Sequence, residues 1–284
     1  MAKTQDLKRR IRSVKNTMQL TKAMKMVAAS KLRRAQERMT RARPYAQRML
    51  RVLRSLATRA EPEEHPLLQI HGDRNIELIV LTGDRGLCGG FNAGIIRAAV
   101  DFAGEQTGGT LKINAVGKKG NEFFAKRYEM AGSWLDVFRQ VDFATAKSIA
   151  DELIQRYTSR GVDSIYLVYN EFKSAIQAKP VVQRLLPIGA EELEAAGDTG
   201  DYIYEPSAQQ LFSSLLPGYV ENQVFHAMLE SVAAEHAARM AAMDSATKNA
   251  GELVDALTLT MNRVRQASIT TEIIEVVSGA QAPG

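Results

Sequence analysis

A glycine-rich segment directly after a short apolar run is the part of the sequence best suited to bind phosphate. The run Glu77–Thr82 is typical of a buried strand, and the segment Gly83–Gly90 that follows contains four glycines. Backbone N–H groups in a strand–helix turn of this kind can hold a phosphate. The glycine spacing, however, matches neither G-x-G-x-x-G nor G-x-x-x-x-G-K-[ST], and no lysine follows Gly90 directly. The segment therefore favours a tight strand–helix turn, with a nucleotide-using α/β enzyme as an alternative.

The other residues with catalytic or metal-binding chemistry are scattered along the chain. The four histidines have no cysteine or carboxylate at metal-ligand spacing, and His236 lies on an apolar helix side that predicts packing. The single cysteine, Cys88, cannot form an internal disulfide framework and is expected to be a small buried thiol. No Ser, His and Asp form a recognisable nucleophilic arrangement. We therefore expect no catalytic residue, no cofactor and no metal site in this chain.

A long stripe with a seven-residue period occupies the N-terminal part of the chain. Its members recur alternately four and three residues apart, and only Thr21 and Lys25 among them are not apolar. This period predicts a helix wound against a partner helix. Pro44 lies within the stripe without changing its spacing, so we expect a kink near Arg41 and a helix that continues. The stripe is Leu7, Ile11, Val14, Met18, Thr21, Lys25, Ala28, Leu32, Ala35, Met39, Ala42, Ala46, Met49, Leu53 and Leu56.

A second stripe with the same alternation occupies the C-terminal part. Pro217 is expected in an early helical turn or at a short break, and no proline follows it before Pro283. We expect the helices of residues 1–60 and 207–284 to pair antiparallel as a coiled coil, with residues 61–206 inserted between them as an α/β domain. The second predicted stripe is Ala246, Ala250, Leu253, Leu257, Thr260, Val264, Ala267, Thr271 and Ile274.

The middle of the chain changes to alternating strands and helices between about residues 75 and 189, which predicts a small α/β layer with a mainly parallel sheet. Asn92 is expected to cap the first helix, and Pro180 places the last strand at a sheet edge. The predicted strands are Glu77–Thr82, Leu111–Val116, Ser164–Tyr169 and Ala178–Leu186. The predicted helices are Asn92–Ala103, Asn121–Tyr128 and Phe143–Ser159.

The charge is distributed very unevenly. The net charge is +5, yet residues 1–60 carry 18 Lys and Arg against two acidic residues, a net of +16 that leaves −11 for the remainder. Such a basic block predicts an acidic partner or a polyphosphate, or else a solvated helix face. The counter-charge is expected on another chain or on the acidic remainder of this one. No apolar run is long enough to cross a bilayer and no secretory signal is evident, so we expect a soluble or peripheral protein.

Five segments share their pattern with one protein family. They are Met24–Leu32 (MKMVAASKL), Asp84–Gly90 (DRGLCGG), Ala238–Met243 (ARMAAM), Arg265–Thr270 (RQASIT) and Ile269–Glu275 (ITTEIIE) with Gly279-Ala280. In this order, and over essentially the whole chain, they resemble the γ subunit of the rotary, proton-translocating ATP synthase of bacterial type. The resemblance implies a long antiparallel coiled coil of the N- and C-terminal helices with an inserted Rossmann-like α/β domain.

The function implied by the resemblance is that of a central rotor shaft, which couples proton flow through a membrane ring to ATP synthesis or hydrolysis. The implied partners are the α and β subunits of the catalytic ring, the ε subunit and the membrane c-ring, with one copy of the shaft per complex and no nucleic acid. The catalytic sites are implied to belong to the β subunits. This chain is then expected to be a non-catalytic, peripheral subunit on the cytoplasmic face of the bacterial inner membrane.

The resemblance also implies particular contact residues. Those expected to contact the β subunits are Met24, Lys25, Lys31, Arg33, Arg34, Arg239, Gln266 and Thr270. Those expected to contact the membrane ring and ε at the foot are Tyr45, Tyr202, Tyr204 and Glu205. The tail Ile269–Val277 is expected to turn in an apolar sleeve. The residues alone leave open the alternative of a basic coiled-coil adaptor that binds nucleic acid or acidic proteins.

Overall fold

The chain divides into two compact units. The computed structural model describes residues 2–60, 65–72, 74–106, 108–174, 178–193, 205 and 207–280. The terminal unit comprises Met1–Ala28 with Arg239–Gly284, and the central unit comprises Ala29–Ala238. Helix α1, Ala2–Ala57, and helix α6, Ala208–Ala280, each contribute residues to both units.

Helix α1 confirms the first predicted stripe. All fifteen stripe positions are buried or half-buried, including the polar members Thr21 and Lys25. Pro44 lies inside the helix, which continues to Ala57 as predicted. Pro217 likewise lies inside α6 and does not interrupt it. The seven-residue period was therefore sufficient to place the inward side of α1 along its whole length.

In the terminal unit, the N-terminal part of α1 and the C-terminal part of α6 contact each other in antiparallel directions. The side-chain oxygens of Thr21 and Thr247 are 2.7 Å apart. The Lys25 ammonium donates to the Asp244 carboxylate at 2.5 Å. The residue that is later on α1 thus contacts the residue that is earlier on α6, as expected for antiparallel helices.

Beyond Ala250 the second stripe was predicted only in part: Leu257 and Val264 are half-buried as predicted, whereas the other predicted members are exposed. The predicted member Leu253 is 48% exposed, whereas the next residue, Val254, is only 9% exposed. Both residues are apolar, so the sequence permits two phases of the same alternation, and burial selects the one through Val254, Leu257 and Met261. The members of the predicted stripe that are exposed are Leu253, Thr260, Ala267, Thr271 and Ile274.

The central unit is built on a five-stranded sheet in the order β3-β2-β1-β4-β5. Strands β1 to β4 pair in parallel, and β5 pairs antiparallel with β4 at one edge. The strands are β1 Asn75–Leu81, β2 Thr110–Val116, β3 Glu129–Trp134, β4 Ser164–Phe172 and β5 Ala178–Leu186. A mainly parallel sheet with an edge strand containing Pro180 was predicted, whereas β3 was missed.

The helices of the central unit differ in detail from the prediction. The helix predicted at Asn121–Tyr128 lies earlier in the chain, and Asn92 does not cap α2, whose N-cap is Gly90. Asp142 caps α4, because its carboxylate accepts the N–H of Thr145 at 2.7 Å. The remaining helices are α2 Phe91–Glu105, α3 Lys118–Phe124, a 3₁₀ turn Val137–Arg139, α4 Phe143–Thr158 and α5 Ala190–Leu193.

The core of the central unit contains one closed polar network among its apolar residues. Glu77, on the central strand β1, is 1% exposed. Its carboxylate accepts a hydrogen bond from the Asn114 amide at 2.7 Å and one from the Arg156 guanidinium at 3.1 Å. Arg156 also donates to the Asn114 side-chain oxygen at 3.2 Å. Each member satisfies the others, which is what makes a buried carboxylate tolerable. Apolar residues around the sheet include Leu78, Ile95, Ile113, Phe124 and Val168.

Within the central unit, polar contacts attach α1 and α6 to the α/β layer. Lys147 on α4 donates to Glu221 on α6 at 2.5 Å, and this hydrogen bond raises the pKa of Lys147. The backbone N–H of Phe172 donates to Glu230 on α6 at 3.3 Å. Arg54 on α1 donates to a backbone carbonyl at 3.0 Å.

No helix among the described residues is long and apolar enough to cross a membrane.

Candidate interaction surfaces

The glycine-rich segment uses its polar groups inside the central unit. The Gly83 N–H donates to the Asn92 side-chain oxygen at 2.8 Å. The Asp84 carboxylate accepts three backbone N–H groups, at 3.1 Å from Lys118, 3.1 Å from Asp136 and 3.3 Å from Phe138. Asp84 thereby holds the starts of α3 and of the 3₁₀ turn beside the end of β1. These contacts show that the segment forms a turn whose polar groups stabilise the fold of the central unit.

Helix α6 approaches the start of this turn closely, which favours a small residue there. A Cβ atom added at Gly83 would lie 3.0 Å from the nearer carboxylate oxygen of Glu235, a residue only 5% exposed. A carboxylate beside the turn also disfavours a phosphate there, since both groups are negative. Cys88 is 2% exposed, which confirms the expected buried thiol. No group of three or more His, Cys, Asp and Glu among the described residues is arranged to hold a metal ion.

In the terminal unit, the predicted contact residues on α1 are only partly accessible. Lys25 is paired with Asp244, and 43% of its side chain remains exposed. Met24 is half-buried. The strongly exposed apolar residues of this stretch are Leu20 and Met26, each 61% exposed, and Val27, 56% exposed. The sequence analysis predicts no separate role for Leu20. An apolar residue outside the inward stripe is, however, a sign of an exposed apolar surface.

The predicted contact residues on α6 differ in accessibility. Gln266 and Thr270 are both exposed and lie one helical turn apart, and the Thr270 hydroxyl donates to the Gln266 backbone carbonyl at 3.0 Å. Arg239 is half-buried and interacts with neighbouring groups. Gln266 and Thr270 therefore leave their outer surfaces available to another chain.

The end of α6 exposes an apolar surface that is unusual for a single chain. Every residue from Ile269 to Val277 is exposed, and Val276 reaches 72%. Contiguous exposed apolar residues normally mark a surface that another molecule covers. The strongly exposed apolar members are Ile269, Ile273, Ile274, Val276 and Val277.

In the central unit, the predicted contact residues Lys31, Arg33 and Arg34 are all exposed on α1. Arg33 pairs with Glu37 at 3.2 Å on the same helix. Of the predicted foot residues, Tyr45 is 59% exposed and Glu205 is exposed. Tyr202 and Tyr204 lie outside the described residues. The predicted contact set is thus divided between the two units, and most of its described members are accessible.

Comparison with known proteins shows a relationship over the whole length of the chain. A family model described as ATP synthase matches residues 3–282. The ATP synthase gamma chain of Pelotomaculum thermopropionicum is 46% identical over 283 residues, and that of Geobacter metallireducens is 47% identical over 284 residues. Each alignment covers 99% of this chain and 99% of the relative.

A solved structure shows the same fold. A chain from the Tetrahymena thermophila mitochondrial ATP synthase, central stalk and c-ring, aligns with a TM-score of 0.61 and 28% identity. The alignment covers 80% of this chain and 99% of that chain. These relatives give no support to the alternative of a nucleic-acid adaptor. Together they place a mixed α/β sheet with N- and C-terminal helices among the structures of ATP synthase central stalks.

Proposed function

Because this chain belongs to the ATP synthase gamma chain family, we propose that it is the central rotor shaft of a proton-translocating ATP synthase. The observation that carries the proposal is the match of 46–47% identity along 99% of both chains. In this role the chain is a non-catalytic subunit, and ATP is made or hydrolysed on its partners. The proposed partners are the α and β subunits, the ε subunit and the membrane c-ring, with one shaft per complex.

The proposed mechanism is mechanical coupling between distant sites. A shaft with unequal sides contacts each catalytic subunit differently, so it shifts the equilibrium between open and closed states of each site by a different amount. The coupling is reciprocal, because a rotation that favours product release at one site is itself favoured when nucleotide binding changes that site. Residues that form the unequal sides need to be exposed, since a buried side chain cannot contact a neighbouring subunit.

The basic side of α1 supports a contact with an acidic part of the β subunits. Lys31, Arg33 and Arg34 are exposed in the central unit, and Lys25 is partly exposed in the terminal unit. We propose that these residues, together with Met24, form the contact on α1, and that Arg239, Gln266 and Thr270 form the contact on α6. Opposite charges in such a contact fix its register more than they add affinity.

The apolar tail supports the proposal that the end of α6 turns inside an apolar sleeve. Apolar surfaces make few directional bonds, so a tail such as Ile269–Val277 can be enclosed without being held at one angle. For the foot, we propose that Tyr45, Tyr202, Tyr204 and Glu205 contact the membrane ring and ε. The complex would then hold residues 61–206 as the foot, on the cytoplasmic face of the bacterial inner membrane.

Removal of residues 266–284 tests the proposal directly. In inverted membrane vesicles that carry the assembled complex, this truncation should weaken proton-driven ATP synthesis and ATP-driven proton pumping, because it removes Gln266, Thr270 and the apolar tail. Removal of residues 281–284 alone is the matched control and should leave both activities close to normal. ATP synthesis that is unchanged in the longer truncation would contradict the rotor assignment.

A further inference from the structure

A basic cleft of about 300 Å³ lies in the central unit, outside the glycine-rich turn. Four of its cationic residues come from α1: Lys31, Arg34, Arg38 and Arg41. Their spacing of three, four and three residues places them on one side of the helix. A fifth cation, Arg139, comes from the 3₁₀ turn of the α/β layer. The fold thus brings cations from two separate elements to one concave surface.

The walls of the basic cleft are fixed to each other. The Arg38 guanidinium donates to the backbone carbonyl of Val141 at 3.3 Å, which ties α1 to the segment that follows the 3₁₀ turn. The floor is apolar, since Phe138, Val141 and Leu229 are at most 9% exposed. An apolar floor limits water on one side and so strengthens electrostatic interactions at the opening.

The positive charge of the basic cleft is not neutralised by the part of the chain that the structure describes. Among the described residues, no hydrogen bond or ion pair is formed by the side chains of Lys31, Arg34, Arg41 and Arg139. Glu37 is the one carboxylate among the described lining residues, and it pairs with Arg33 at 3.2 Å. Cations held close together repel each other, so a bound anion would relieve an unfavourable interaction as well as form new ones.

We propose that the basic cleft binds a multivalent phosphate anion. Arginine presents a planar fork of donors that fits phosphate oxygens, and three of the five cations come from arginines on one helix side. The cleft has the volume of a small-molecule pocket. A helical protein segment, about 10 Å across, would lie only across its rim. The phosphate is carried either by a soluble nucleotide or by a lipid headgroup, which share this chemistry.

The proposal does not depend on the rotor assignment. Lys31 and Arg34 also belong to the proposed β contact, whereas Arg38, Arg41 and Arg139 do not. A variant restricted to Arg41 and Arg139 therefore changes the basic cleft while it preserves every residue assigned to a subunit contact. Arg48 and Arg51 provide a matched control, because both are exposed on α1, outside the basic cleft, and carry the same charge.

The test is calorimetric titration of the full chain with pyrophosphate at low ionic strength. The parent chain should bind pyrophosphate saturably at one site. The double variant Arg41→Gln/Arg139→Gln should lose at least about tenfold in affinity, since two charge-assisted contacts are removed. The control Arg48→Gln/Arg51→Gln should lose less than about twofold. Far-UV circular dichroism checks folding, and Arg139→Gln alone, which should lose several-fold, replaces the double variant if that chain is misfolded.

Several results would overturn the proposal. Absence of saturable binding by the parent chain would do so, as would equal losses in the two double variants, because diffuse charge would then explain the binding. Tighter binding of a glutamate-rich peptide through Arg41 and Arg139 would assign the basic cleft to an acidic protein segment instead. Competition by ATP, or by vesicles of phosphatidylcholine with phosphatidylglycerol, distinguishes the two phosphate sources.

Discussion

The buried network of Glu77, Asn114 and Arg156 permits a quantitative prediction about the stability of the central unit. Replacement of Arg156 by Met removes the guanidinium from the Glu77 carboxylate, whose side chain is 2% exposed. Among the described residues, the Asn114 amide is then its one remaining hydrogen-bond partner. A buried charge that loses its partner typically costs about 3–5 kcal/mol. Because the Arg156 side chain is itself 29% exposed, some water can replace it, and we expect a loss of about 2–4 kcal/mol.

The reverse change should cost less. In Glu77→Gln the amide keeps an acceptor for Arg156 and Asn114, and Arg156 can still interact with Glu152, whose carboxylate lies 3.5 Å away. The partly exposed guanidinium can also be hydrated. We therefore expect Glu77→Gln to cost about 1–2 kcal/mol, as for a hydrogen bond that loses its charge. The double variant should cost less than the sum of the two single changes, because each removes the same interaction.

The assay is urea unfolding of the full chain followed by far-UV circular dichroism. Arg97→Met is the matched control, because Arg97 is exposed on α2 and its replacement should change the free energy of unfolding by no more than about 0.5 kcal/mol. The reasoning would be refuted if Arg156→Met cost less than Glu77→Gln, since the prediction rests on the difference in burial between the two partners.

Three further predictions concern single positions. Gly117→Ala should destabilise the chain by more than about 3 kcal/mol, because φ is +98° and the added Cβ would overlap a neighbouring carbonyl oxygen. As a control in the same urea assay, Gly86→Ala should be nearly neutral, since a Cβ added there meets no atom within 4 Å. Burial raises the pKa of Glu230 to about 7, so ionisation of Glu230 opposes folding as the pH rises. Between pH 5 and 8, Glu230→Gln should therefore gain stability over the parent chain, on the order of 1–3 kcal/mol. If the difference in unfolding free energy between the two chains stayed the same across that range, the assigned cause would be contradicted. Lys25→Gln and Asp244→Asn remove the same ion pair, so each should cost less than about 1 kcal/mol of stability. Only Lys25→Gln should impair coupled ATP synthesis in membrane vesicles. Equal impairment of ATP synthesis by the two variants would argue against a β contact at Lys25.

The elements that the sequence predicted well are those in which burial and period agree. In α1, apolar side chains occur at almost every inward position, so only one register is possible. In α6, Leu253 and Val254 are adjacent and both apolar, and only packing against α1 in the terminal unit distinguishes them. Strand β3 was missed because none of its residues is fully buried and Gly132 interrupts its apolar character.

The candidate interaction surfaces were predictable only where they lie on one element. The basic side of α1 can be read from the chain, since its residues share a helical period. The basic cleft cannot, because Arg139 is brought to Arg41 by the fold of the α/β layer and by the Arg38 contact with Val141. Likewise, the glycine-rich turn resembles a phosphate site until α6 is seen to place Glu235 beside Gly83.

The ion pairs of α1 bear on the location of its counter-charge, which the sequence left open. Among the described residues, the carboxylates that pair with α1 cations are Asp6, Glu37 and Asp244. The first two belong to α1 itself, so Asp244 is the one carboxylate that the rest of the described chain supplies to an ion pair with α1. Glu230 acts on Arg43 of α1 without forming such a pair. Other acidic residues are used elsewhere, as Glu77 is by Arg156 and Glu221 by Lys147. Among the described residues, most cations of α1 therefore form no ion pair, and this supports the proposed contact with an acidic part of the β subunits.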